Sequence, residues 1–360
     1  MFLMCYKMKN YVQKSVEMGL NEVQNRSIDV VLYWVDERDT KWQEIKERYF
    51  AVEKPDRRSD SRIRYQGWDN LKYLFRGIEA FMPWIHRVYF VTCGQKPEFL
   101  NENSEKLVLV NHDEFMPSKY LPTFNSSAIE MNFHRINGLS ENFIIFNDDM
   151  FPIRPVSEEY YFIDNLPCDE AVENIITTAA FGPVGEMARY STINNMFIIN
   201  RHFRKRQVQE QFPYKWFNTK YEELLERTES LKYWNDFPGF YDPHVPSGLK
   251  KSVMQEIWNA EEEALDKSCQ SRFRSYRDVT QYVVRYWQLC SGEFVPRKTV
   301  GRPFFVDGKN YMNAVNAIKE QSMPVVCINE NCEGAEFETI KAEVNSALDL
   351  VLPNKSSFEK

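Results

Sequence analysis

Asn142-Phe143-Ile144-Ile145-Phe146-Asn147-Asp148-Asp149-Met150 is an apolar run that ends abruptly in an amide and two adjacent carboxylates. A short apolar run closed by polar residues reads as a buried strand. Three similar runs precede it: Ile28–Val35, closed by Asp36-Glu37-Arg38-Asp39; Arg87–Thr92, closed by Cys93-Gly94-Gln95; and Lys106–Val110, closed by Asn111-His112-Asp113-Glu114. Helical patterns lie between them. Trp42–Phe50 is one, and Leu71, Leu74, Phe75, Ile78 and Phe81 mark a second with one buried face, stopped by Pro83. Ser127 and Glu130 have capping-box spacing for a third, with Ile129, Phe133 and Ile136 inward and Glu130 and His134 sharing another face. This alternation predicts an α/β fold: a Rossmann-like, layered, mostly parallel sheet flanked by helices. Ligands gather where the strands of such sheets end, which makes Asp148 and Asp149 the candidate chemical centre. A solvated turn after a strand is the competing reading.

Beyond Asp149 the pattern loosens. A strand pair is expected around Ile175–Phe181 and Asn195–Ile199, then a basic run, Arg201–Arg206, which reads as a solvated helix face or, alternatively, as a contact for phosphate or a membrane surface. Trp216, Tyr221, Tyr233, Trp234, Phe237, Phe240 and Tyr241 suit either a sugar-stacking wall or, preferably, a core. Tyr241-Asp242-Pro243-His244-Val245-Pro246 holds a histidine between two prolines, which fix the backbone around it. Helices follow, one with Val253, Ile257, Ala260 and Ala264 inward and another with Val279, Tyr282, Val283, Tyr286 and Leu289 inward. A last short strand, Pro324–Ile328, closes in Asn329-Glu330-Asn331. The chain therefore divides into a lead-in (1–26), an α/β core (27–155), an aromatic and basic insertion (156–240), a helical region with the final strand that completes the site (241–332), and a C-terminal tail (333–360).

Composition narrows the function. With a net charge of −7, broad nucleic-acid binding is disfavoured, because it needs clustered Lys and Arg to neutralise phosphates. Only 13 of 360 residues are glycine, and neither G-x-G-x-x-G nor a P-loop occurs, so a glycine-rich phosphate loop is not the main device. Seven cysteines without a C-x-x-C pair suggest reduced thiols in a cytoplasmic protein. No stretch approaches the ~20 apolar residues of a membrane span, so any membrane association is expected to be peripheral.

Four blocks carry a family resemblance: Ile28–Trp42 (IDVVLYWVDERDTKW), Trp68–Phe151 with LPTFNSSAIEMNFHRINGLSENFIIFNDDMF at its end, His244–Asp278 with HVPSGLKKSVMQEIW and FRSYRD, and CINE at Cys327–Glu330. Together they resemble the Stealth proteins, microbial capsular and exopolysaccharide sugar-1-phosphate transferases related to the lysosomal-enzyme N-acetylglucosamine-1-phosphotransferase. The resemblance spans about residues 28–332. Two departures stand out: Gln66-Gly67 where relatives often carry Arg-Asp before the Trp, and Glu330 where an Asp is common.

The resemblance implies transfer of a sugar 1-phosphate from a nucleotide-diphosphate sugar to a hydroxyl of a growing surface polysaccharide, with release of nucleoside monophosphate. Mg²⁺ or Mn²⁺ is the expected cofactor, because a hard cation favours carboxylates, water and phosphate oxygens. Asp148 and Asp149 are its first candidate ligands, Asp36 and Asp39 the second. By the matching block His244 is the expected general base, and Arg274 is expected to bind phosphate through its planar fork of donors. Arg64, in a charged loop that also reads as solvated, and Asn125, His134, Arg135, Asn147 and Asn329 are candidate substrate contacts. For His134 and Arg135, surface pairing with Glu130 is the alternative. The expected partners are the nucleotide sugar and an oligo- or polysaccharide acceptor, and a homo-oligomer or a polysaccharide-assembly complex is compatible with the chain. The competing functions are a nucleotide-sugar glycosyltransferase and a non-catalytic glycan-binding relative.

Overall fold

A computed structural model describes residues 27–56, 67–178 and 182–360. The lead-in before residue 27 and Arg64 lie outside the described residues.

The main sheet is built from the four expected runs. They form β1 (Ile28–Tyr33), β2 (Val88–Thr92), β3 (Leu107–Asn111) and β4 (Asn142–Phe146), parallel in the order β3-β2-β1-β4. Helix α1 (Thr40–Glu53) follows β1, and α2 (Leu71–Phe81) leads to β2. The strands are apolar at nearly every position because both faces are covered. Val30, Leu32, Phe90, Ile144 and Phe146 pack on one face against Leu71, Leu74 and Phe75 of α2. Val31, Val91, Phe143 and Ile145 pack on the other. The fold is thus mixed α/β with a largely parallel sheet. A fifth strand, Ser247–Lys250, pairs antiparallel with β4, Asn142 opposite Lys250.

Straight after Asp149 the chain leaves this sheet and enters another. Residues Met150–Pro152 (β5) pair antiparallel with Val325–Glu330, which in turn runs parallel to Gly301–Val306. Gly77 of α2 permits this crossing, since a Cβ there would lie 2.6 Å from the Pro152 carbonyl oxygen. Residues 333–360, separated by sequence as a tail, belong to the core instead. Gly334–Val351 is a helix whose Phe337, Ile340, Val344 and Leu348 are buried in the cluster that contains β4.

Three local expectations are corrected. The expected strand at Asn195–Ile199 lies inside a 21-residue helix, Gly182–His202; Met196, Ile198 and Ile199 are buried while Phe197 is exposed, a partition that a helix face produces. No strand is assigned to the described part of 175–181. The capping-box helix is only Ser126–Glu130 (α3), capped by Asn125 rather than Ser127, and it ends before His134. Ala260 is exposed because its helix stops there, and Leu265 of the next takes the buried place.

His134 packs against Trp258 with ring centroids 5.7 Å apart, and its buried Nδ1 has no partner. Burial, then the charges of Arg135 and Lys251, lower its pKa to about 3. The unfolded chain therefore takes up this proton first, near pH 6.5, and the fold loses stability as pH falls below that value. Urea unfolding of wild type should show a loss of roughly 2 kcal/mol from this residue between pH 6.5 and 5. His134→Gln should show a correspondingly shallower pH slope.

Candidate active site

The main sheet and the second sheet meet at Asp149. The Ile328 N–H donates to the Asp149 carbonyl at 2.8 Å, and the Asn329 amide donates to Asp149 Oδ2. Asp149 Oδ1 is buried and has no partner. Burial raises the Asp149 pKa, opposed by the neighbouring His244. Among the described residues Asp149, His244 and Cys327 form one group of potential metal ligands, with ligand atoms all within 4.8 Å of one another. Residues from the end of β4, the proline-framed turn and the second sheet thus converge on one point.

Asp148, next along, reaches solvent, yet the surrounding protein and then the Asp149 charge push its pKa up to about 8; Glu330 and Glu37 add to this. Carboxylates lie at both departures, beside Gly67 and at Glu330 itself. A Cβ on Gly67 would lie 2.5 Å from Glu37 Oε1, so the space that a side chain at 67 would need is filled by a different carboxylate. Glu330 accepts from Trp68 Nε1 at 2.8 Å and keeps a negative charge beside Asp148.

His244 sits in the left-handed region, φ 48°, which costs a non-glycine residue about 1–3 kcal/mol and persists only where surroundings enforce it. The surroundings here are explicit. Its Nδ1 lies 3.0 Å from the Tyr282 hydroxyl, and the preceding Asp242 and Tyr241 are held by Arg285. Arg285 is buried and also forms a two-pronged pair with Asp169, at 2.8 Å on each side. Burial pushes Asp242 up to about 6 even against the pull of that guanidinium. Nothing in the motif reading singled out Arg285 or Asp242. The available signal was an arginine inside the apolar run Tyr282–Leu289, since a buried charge needs partners.

The remaining candidates separate. Arg274 Nη2 donates to Ser126 Oγ at 2.7 Å, and its charge is felt by Glu130 and Tyr33. Asn147 is partly exposed, with Oδ1 2.8 Å from the Tyr33 hydroxyl. Asn125 is wholly buried: its oxygen caps α3 and its amide nitrogen bonds Asp278 and the Ser271 carbonyl, so it is a structural tie rather than a substrate contact. Asp39 caps α1 and receives Gln95, and Asp36 pairs with Arg38; neither has its carboxylate directed to the Asp149 cluster by any of these bonds. Arg135 lies over the Trp258 ring, 4.8 Å from its centroid, and bonds Asn132. It does not pair with Glu130, which turns to Tyr33 instead.

A hard divalent cation fits this donor set on one observation, the unpartnered buried oxygen of Asp149 with a second carboxylate beside it. The Cys327 thiol is a poor ligand for such an ion and is held by hydrogen bonding to Asp149 and Asn329.

Comparison with known proteins identifies the family. The family profile for Stealth protein CR2, conserved region 2, matches residues 64–168. The exopolysaccharide phosphotransferase cps2G of Lactiplantibacillus plantarum is 37% identical over 337 residues, covering 92% of this chain and 96% of its own. The receptor polysaccharide phosphotransferase WefC of Streptococcus gordonii is 36% identical over 341 residues, 92% of this chain and 98% of its own. The capsular polysaccharide phosphotransferase WcwK of Streptococcus pneumoniae is 34% identical over 336 residues, with the same coverage. With relatives matching along nearly their whole length and the conserved region containing the strand that delivers Asp149, the chain belongs to the Stealth family.

Proposed function

We propose that this protein is a phosphotransferase that moves a hexose or N-acetylhexosamine 1-phosphate from a nucleotide-diphosphate sugar to a hydroxyl of a surface polysaccharide. The observation that carries the reading is the meeting of the His244 imidazole with the Asp149 carboxylate between two sheets. The names of the relatives, all polysaccharide phosphotransferases, support the acceptor class. The four parallel strands are read as a Rossmann-like half, whose carboxyl ends would receive the nucleotide. No helix among the described residues is long and apolar enough to cross a membrane, and we place the reaction at the cytoplasmic face, where nucleotide sugars are made.

In the transfer, an acceptor oxygen bonds to the phosphorus that carries the sugar while the bond from that phosphorus to the nucleoside monophosphate oxygen breaks. His244 takes the hydroxyl proton. With Nδ1 engaged by Tyr282, Nε2 is the nitrogen free to accept it. Arg274 and the Asn147 amide bind phosphate oxygens, and Asn329 holds Asp149 in place. A Mg²⁺ or Mn²⁺ ion on Asp148 and Asp149 would supply charge neutralisation on the diphosphate.

Incubation with Mg²⁺, a panel of nucleotide sugars and acceptor oligosaccharide should release nucleoside monophosphate and leave phosphorus in the product. Release of nucleoside diphosphate would instead identify a glycosyltransferase. His244→Ala should lower turnover by about 10²–10⁴-fold, the usual contribution of a general base.

A further inference from the structure

The Tyr33 hydroxyl has one proton and two close oxygen neighbours. It lies 2.7 Å from Glu130 Oε1 and 2.8 Å from Asn147 Oδ1. Both separations are hydrogen-bond lengths between groups that would each act as acceptors if Glu130 were ionised. One of the neighbours must therefore donate. Either the Asn147 amide is turned over, with its nitrogen on Tyr33, or Glu130 carries a proton.

The surroundings of Glu130 decide between them. Glu130 is 7% exposed at the end of α3, beneath the ends of β1 and β4. The neighbouring cation, Arg274, donates to Ser126 Oγ, and its charge also acts on the buried Asp278. Among the described residues its backbone donor, Gln281 N–H, is distant at 3.5 Å. A carboxylate kept ionised at such depth costs several kcal/mol unless paired and well bonded. Burial accordingly raises the Glu130 pKa. In the neutral form every contact runs in one direction: Arg274 donates to Ser126, Ser126 to Glu130, Glu130 to Tyr33, and Tyr33 to Asn147. Hydrogen bonds that run head to tail strengthen one another.

We propose that Glu130 is a positioning residue which, as a neutral acid, joins Arg274 to Asn147 through Ser126 and Tyr33 and fixes the Asn147 amide with its nitrogen free to donate to an anionic substrate oxygen. The two phosphate contacts, from segments more than a hundred residues apart, are then set by one chain of protons. The role in turnover rests on the function proposed above; the protonation state does not.

Two measurements test it. The infrared difference spectrum of wild type minus Glu130→Gln at neutral pH should contain a protonated-carboxyl C=O band, and the subtraction removes contributions from Asp148 and Asp278. Absence of that band overturns the proposal whatever the enzyme's substrate. In turnover, Glu130→Gln, whose amide can still donate to Tyr33, should stay within about threefold of wild type. Glu130→Ala and Tyr33→Phe should lose about ten- to a hundredfold in kcat/KM, one to two hydrogen bonds' worth of positioning. Tyr33→Phe keeps the ring packing, so its loss does not reflect misfolding. If Glu130→Gln is as impaired as Glu130→Ala, an ionised Glu130 is required and the proposal fails. If wild type turns over no nucleotide sugar while the band is present, the function is wrong and the neutral Glu130 stands.

Discussion

Asp149→Asn will unfold at a higher temperature than wild type while losing nearly all turnover. Both effects come from the same oxygen. Asp149 Oδ1 is buried without a partner, and burial raises its pKa above 3.8. A carboxylate kept at such a place destabilises the fold, because the Asn329 amide and the Cys327 thiol offset its desolvation only in part and leave Oδ1 without a donor. Asparagine preserves size and an acceptor for Asn329, and removes the charge. A gain of about 1 kcal/mol is expected, the usual return from relieving a strained functional site. The pH dependence has a definite sign. A raised folded pKa means that stability falls as pH rises from the unfolded value towards the folded one, since the unfolded chain gives up its proton first. The advantage of Asp149→Asn should therefore be larger at pH 8 than at pH 5. Turnover should drop by about a thousandfold or more, as when a group that stabilises transition-state charge is removed. Mg²⁺ should raise the wild-type melting temperature and leave that of Asp149→Asn nearly unchanged, because only a ligand-binding native state gains from added ligand. Thermal melts across pH, with and without Mg²⁺, check all of this. A variant less stable than wild type at pH 8 would mean that Asp149 is a structural carboxylate, not a functional one.

What sequence reading reached, and where it stopped, follows from the range of the forces involved. The parallel strands were legible because strands covered on both faces are apolar at nearly every position, and β1, β2 and β4 are so apart from the buried Asp29, Thr92 and Asn142. Asp149 and His244 stood out because each breaks a local pattern, one by ending an apolar run and the other by standing between prolines, and the fold brings the two side chains together. Nothing in the sequence shows that Met150–Pro152 changes sheet, since its partner, Val325–Cys327, is over 170 residues away. The same distance hid the Asp149–Asn329 contact until the two strands were paired. Asn125 was misread for the opposite reason: it lies in a motif-rich block, but its polar atoms are consumed by the 271–278 loop and the α3 cap. The strand expected at Asn195–Ile199 failed because a four-residue apolar stretch fits a strand or one side of a long helix equally well.

Arg285→Met should cost about 3–5 kcal/mol of stability, the largest effect expected of any single change outside the catalytic groups. The guanidinium has five N–H donors, and five bonds use them: Asp169 through Nε and Nη2, the Glu170 carbonyl through Nη2, and Asp242 with the Tyr241 carbonyl through Nη1. Methionine fits the volume but leaves the Asp169 carboxylate, 6% exposed, without its counter-charge. The loss arises from stranded charge rather than from a missing attraction, so adding Asp169→Asn to Arg285→Met should restore a substantial part of it. Two independent packing defects would instead add. Arg285→Lys separates charge from geometry. Lysine keeps the positive charge but cannot span Asp169, Asp242 and the Tyr241 carbonyl with one ammonium group. The protein should fold, and the turn that carries His244 at φ 48° should lose one of its restraints, with the Tyr286 and Tyr282 bonds remaining. Turnover of Arg285→Lys should therefore fall by about tenfold or more in kcat with KM little changed, because the base is displaced while the phosphate contacts at Arg274 and Asn147 are intact. Equal losses in kcat and stability-corrected KM would show that the buried cluster supports the whole site instead of the His244 turn.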